Sequence, residues 1–133
     1  MLAPILALII WSLIIWVWMY ATRLPAMQGA KIDPQEAIHP GALNTLPTNV
    51  RVVADNYNHL HEQPTVFYAL GFYSHLAGNG EGLLVVLAWA YVGLRIIHSV
   101  SQIILKSVVV RFSVFALSSL VLVAMAVLNV LAL

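Results

Sequence analysis

The sequence predicts an all-α integral membrane protein, a single domain built as a bundle of four transmembrane helices. Three observations predict it. Of 133 residues, 62% are hydrophobic and only 8% are charged, whereas soluble domains carry roughly 25% charged residues. The mean hydropathy is +0.92, so there are too few charges to cover a water-facing surface and the solvent is lipid. The apolar residues also fall into four runs, at about 2–22, 50–76, 83–105 and 112–131, each long enough for a helix to cross a core of ~30 Å.

The first run, Leu2 to Thr22, holds no charge, and Trp16, Trp18 and Tyr20 crowd its end just before Arg23, as in an interfacial aromatic belt. It reads as a membrane span rather than a secretory signal, because no Lys or Arg precedes it and its apolar stretch is too long. Residues 23–49 change character: Pro25, Pro34, Pro40 and Pro47, with Gly29 and Gly41, mark a connecting loop. Thr48 or Asn49 is placed to cap the next helix. The second span contains the polar run DNYNHLHEQPTVFY at 55–68, and Pro64 within it predicts a bend just past Glu62. A GNGEG turn at 78–82 leads into the third span, and the fourth is almost wholly apolar.

Arg23, Lys31 and Arg51 belong to the first loop or its edges, Lys106 and Arg111 flank the third connection, and the second connection holds only Glu81. The positive-inside rule therefore puts loops 23–49 and 105–111 in the cytoplasm. The net charge of +1 says nothing about nucleic acid, but no basic, aromatic-interleaved patch appears, so no nucleic-acid partner is expected. With no Cys, disulfides, thiolate metal sites and a cysteine nucleophile are excluded.

Two polar stripes carry the candidate chemistry. At about 100° per residue, Arg51, Asp55, Asn58 and Glu62 fall on one helix face at 4-3-4 spacing, with His59 at its edge. Tyr91, Arg95, His98 and Gln102 repeat that spacing on the third span. Counted from the cytoplasmic ends, Glu62 and Arg95 share a depth of about 17 Å, which predicts that the stripes face each other, within one subunit or across a subunit boundary. A charge at bilayer depth costs ~2.5–3.5 kcal/mol. Two readings are open: a buried Glu62–Arg95 pair that fixes helix register, or a polar cleft for an anionic or zwitterionic ligand. The surplus of Asp55, Asn58, His59, His98 and Gln102 beyond one pair favours the cleft. His59, Glu62 and His98 are not read as a metal site, since HLHE puts its two imidazoles on different helix faces.

The runs NHLHEQPTVFYAL and AWAYVGLRIIHSV, in this four-span order, resemble the MAPEG family of membrane-associated proteins in eicosanoid and glutathione metabolism, most closely its bacterial-type branch. The resemblance covers most of the chain. It implies a four-helix subunit in a homotrimer of a bacterial inner membrane, with glutathione as co-substrate between subunits and a lipophilic electrophile as its target. It further implies that Glu62 is the glutamate of the second span, that Asn58 or His59 stands near the family's asparagine, and that Arg95 is the arginine of the third-span motif. Arg95, His98 and Lys106 are then the expected catalytic residues, and Arg51, Asp55, Asn58, His59, Glu62, Tyr91 and Gln102 the expected ligand-binding ones. The sequence departs from the family at Ala54 and Asp55, where the glutathione-binding arginine falls, leaving Arg51 as the nearest replacement. The tyrosines expected after the third-span arginine are replaced by Ile96 and Val100. A catalytically silent trimer binding a lipid or small anion at the same stripes is the rival reading.

Overall fold

The computed structural model describes residues 1–38, 41 and 43–133; Pro40, one of the prolines expected to mark the first loop, lies outside the described residues. All regular structure among the described residues is helical: α1 (Leu2–Gly29), a short 3-10 turn (Pro34–Ile38), α2 (Thr48–His59), α3 (Gln63–Leu76), α4 (Leu83–Val100) with a π-helical extension (Ser101–Leu105), and α5 (Val108–Leu131). Three segments, Leu2–Gly29, Leu83–Leu105 and Val108–Leu131, are long and apolar enough to cross a membrane unaided. The remaining crossing is made by α2 and α3 together.

α1, α4 and α5 pack through narrow stripes and leave their other faces largely apolar and exposed. On α1, Ile5, Leu8, Ser12, Ile15 and Met19 are buried, a 3-4-3-4 spacing that keeps one seam against neighbouring helices. Leu6, Ile10, Leu13, Ile14 and Val17 between them are exposed. A helix that is apolar all round but buried along one stripe is built for lipid. Leu84, Ala88, Tyr91, Arg95 and His98 form the matching seam of α4, and Ser118, Leu122, Met125 and Asn129 that of α5. α4 packs against α5 and α1, and α1 also packs on α2.

Gly71 allows α3 to approach α1 closely, because a Cβ there would lie 2.7 Å from Cδ1 of Ile5. Gly71→Val is expected to overpack this crossing and cost about 1–3 kcal/mol, read as a lower unfolding temperature in detergent. Adding Ile5→Ala should restore part of the loss; no recovery would remove the contact from the explanation. Gly93, in the middle of α4, meets nothing within 4 Å of its Cβ position.

Two elements differ from the sequence expectation. α1 continues past Thr22 to Gly29, with Pro25 inside it, so the first loop is shorter than 23–49. Pro25 has no N–H to donate one turn back. The added turns are held by a small cluster of Met27, Leu46 and Val50. The second crossing is not one helix over 50–76. It breaks at Leu60–Glu62, where Glu62 has φ −95° and ψ −98°, and Pro64 stands in the first turn of α3. Proline lacks only a donor that the first turn leaves unused anyway, so the chain starts a new helix instead of bending an old one. At the other end of α4, the π turn closes with Lys106 in the left-handed region (φ 54°) and its N–H on the Ser101 carbonyl at 2.8 Å. Ser107 then caps α5 through its hydroxyl, 3.4 Å from the Val110 N–H.

Candidate functional site

The α4 stripe predicted from spacing is buried along its whole length: Tyr91, Arg95, His98 and Gln102 all face the interior. Arg95 is 1% exposed. Its Nε donates to the Tyr91 hydroxyl at 3.1 Å, and its Nη2 donates to Oε1 of Gln63. The Tyr91 hydroxyl also donates to Gln63 Oε1, at 3.3 Å. Nη1 has no hydrogen-bond partner. Among the described residues the one ion pair is His59–Glu62, so this buried guanidinium has no counter-charge.

Within one subunit that arrangement excludes the expected Glu62–Arg95 contact. Glu62 has a 65% exposed side chain and accepts from Nδ1 of His59 at 2.9 Å. The break at Leu60–Glu62 resets the helical phase, and Gln63, one residue on, reaches Arg95 instead. Gln102 and His98 meet α2 one residue along from the expected positions. Gln102 Oε1 accepts from Asn56 Nδ2, next to Asp55, at 3.0 Å, and His98 stacks on His59, next to Asn58, with ring centroids 4.8 Å apart; Asp55, Asn58, His98 and Gln102 line one cleft. The α2 stripe of Arg51, Asp55, Asn58 and Glu62 is exposed in the single chain.

A cleft of ≈ 520 Å³ opens between α2 and α5. Asp55, Asn58, His59, Glu62, His98 and Gln102 line one side; Val108, Arg111, Phe112 and Phe115 of α5 line the other. Arg95 and Tyr91 lie beneath it rather than in its wall, with the Arg95 Cζ 5.3 Å from the Phe115 ring centroid. Arg51 and Lys106 are exposed and outside the lining. The lining combines two carboxylates, one guanidinium, two amides and two imidazoles with an apolar, aromatic wall. It can hold a molecule that carries both charges at one end and is greasy at the other.

Sequence reasoning missed Asn56, Gln63 and the aromatic wall. Asn56 sits in the Val50–Val53–Leu60 stripe of buried residues, so the apolar periodicity on either side of it marks it as inward-facing. Gln63 has no such signal, because the break precedes it. Arg111 is visible as a charge at the start of an apolar span; Phe112 and Phe115 look like any lipid-facing aromatics.

A helical bundle with three helices long and apolar enough to cross a membrane, and a half-polar, half-apolar cleft, is an integral membrane protein. The chain belongs to the MAPEG family, whose model matches residues 1–131. Neither a curated protein nor a solved structure matches it. Membership makes it a membrane protein of the general glutathione-transferase and eicosanoid type.

Proposed function

We propose that the protein is a membrane-embedded glutathione transferase or peroxidase that conjugates or reduces lipophilic electrophiles. The observation that carries this reading is Arg95: a buried cation without a counter-ion, with one donor free, under a cleft of mixed polarity. Leaving such a charge uncompensated is costly, and a thiolate is the anion that would offset it during the reaction. Preorganised cationic donors of this kind stabilise developing negative charge without reorganising.

The remaining groups suit the peptide. Asp55 is the carboxylate for the γ-glutamyl ammonium, and Arg111 takes one glutathione carboxylate as a bidentate partner. Asn58 and the Gln102 amide hydrogen-bond the peptide groups. Arg51 and Lys106 supply the second carboxylate's cation from the rim. The electrophile lies along Phe112 and Phe115. The exposed α2 stripe is the surface against which a neighbouring copy closes the cleft in a homotrimer, with loops 23–49 and 105–111 in the cytoplasm of a bacterial inner membrane.

A second reading is favoured by the apolar α5 wall, where Val108 and Phe112 are exposed and match an acyl chain: a non-catalytic trimer holding a lipid or small anion. Purified protein in detergent, titrated with glutathione by calorimetry and assayed with a chromogenic aryl halide, separates the two. Binding, ultraviolet thiolate absorbance and turnover are expected. Absence of both thiolate signal and turnover decides for the second reading.

A further inference from the structure

We infer that His59 is the base that removes the thiol proton and that Glu62 is its positioning residue, an assignment that rests on the glutathione reading above. Stabilising a thiolate and removing its proton are separate tasks, and Arg95 can perform only the first, since a guanidinium does not deprotonate in proteins. A base must stand in the cleft with a free lone pair.

His59 meets that requirement. Its Nδ1 lies 2.9 Å from Glu62 Oε2. A carboxylate there accepts, so Nδ1 carries the proton and Nε2 carries the lone pair. Among the described residues Nε2 makes no hydrogen bond, and the ring lines the cleft. The plane of the ring is fixed from two other helices, by His98 of α4 at 4.8 Å and Phe115 of α5 at 5.4 Å between centroids. A carboxylate on one ring nitrogen and an unpartnered second nitrogen, on a ring that lines a cleft, is the orienter–base relation of nucleophilic sites in general. His98, expected from the sequence to be catalytic, lacks it: the residue is 2% exposed and, among the described residues, no carboxylate orients it.

The charged and titratable groups around His59 are Asp55 and Glu62 on its own crossing, His98 and Arg95 from α4, and Arg111 from α5. In the step itself, the thiol proton passes to Nε2, giving imidazolium beside the Glu62 carboxylate and leaving thiolate near Arg95. The sulfur lone pair forms the new bond to the electrophilic carbon as the halide leaves with the electron pair of its bond. The imidazolium then gives its proton to water. Glu62 keeps its charge throughout.

The test measures glutathione binding and thiolate formation separately in the purified, full-length protein. His59→Gln is expected to bind glutathione by calorimetry while kcat and the thiolate absorbance fall by about 100-fold, with KM unchanged. Imidazole added to His59→Ala should restore part of the signal, which no structural role would produce. Glu62→Gln, at an exposed position, should fold and lose about 10–100-fold in kcat. His61→Gln, whose ring only bonds the Tyr57 carbonyl at 2.9 Å, should match the wild type. Undiminished thiolate in a glutathione-binding His59→Gln, or unchanged kcat in Glu62→Gln, overturns the assignment and leaves the proposed function standing. Failure of the wild type to bind glutathione overturns both.

Discussion

Replacing Arg95 by Met should abolish most thiolate formation while leaving the fold intact or firmer. The guanidinium is buried without a counter-ion, and its partners Gln63 and Tyr91 are also hydrogen-bonded to each other at 3.3 Å. Removing the cation therefore orphans neither partner. A flexible apolar side chain fills the space. Exchanging buried charge for well-packed apolar atoms is commonly neutral or stabilising by about 1–4 kcal/mol, so the unfolding temperature should hold or rise. The rate should fall by about 10²–10³, the cost of losing one preorganised donor to a developing anion. Arg95→Lys should also be slow, because a point charge cannot serve Tyr91, Gln63 and a thiolate with one fork. An active Arg95→Met would remove the central argument for the thiolate site.

The second large effect is on stability. Phe67 is fully buried and stacks on Tyr91, with centroids 4.6 Å apart and planes at 17°. In a water-solvated core Phe→Ala costs ~3–5 kcal/mol. Here lipid replaces water around the separated helices, so the transfer part is small and the cavity and lost contacts remain. A loss of about 2–3 kcal/mol is expected for Phe67→Ala, measured by denaturant unfolding in bicelles. Activity should drop with it, because Tyr91 loses the surface that sets its hydroxyl against Arg95. Phe67→Leu should recover most of the stability. Equal stability of Phe67→Ala and wild type would show that the ring stack contributes nothing.

How far the sequence was readable depended on whether the helix ran unbroken. α4 does, and the 4-3-4 stripe through Tyr91, Arg95, His98 and Gln102 is buried as a unit. The second crossing does not. Counting at a constant rise per residue placed Glu62 at the depth of Arg95, and Gln63 next to it does reach Arg95; the constant angle that put Glu62 on the facing stripe no longer describes a direction beyond Leu60. Proline at residue 64 announces a disturbance; whether the chain bends or restarts depends on the packing of Leu60 and Phe67, which are buried among residues distant in sequence. The α2 side of the cleft was legible because polar residues in an apolar chain need a reason. Its α5 side was not, because Phe112 and Phe115 in a lipid-facing helix have one already.

The exposed Val108 and Phe112 in the cleft wall also bear on the phase from which the proposed site would be supplied. On the proposed function, a substrate dissolved in the bilayer meets that wall without crossing water, whereas a charged peptide reaches Asp55 and Arg111 from the aqueous side. The two reactants are then counted in different volumes. A hydrophobic compound is concentrated by partitioning before any binding occurs, so its effective dose at the protein follows the amount of lipid present rather than the amount in the tube. Selectivity among electrophiles follows their solubility in membrane as well as their fit.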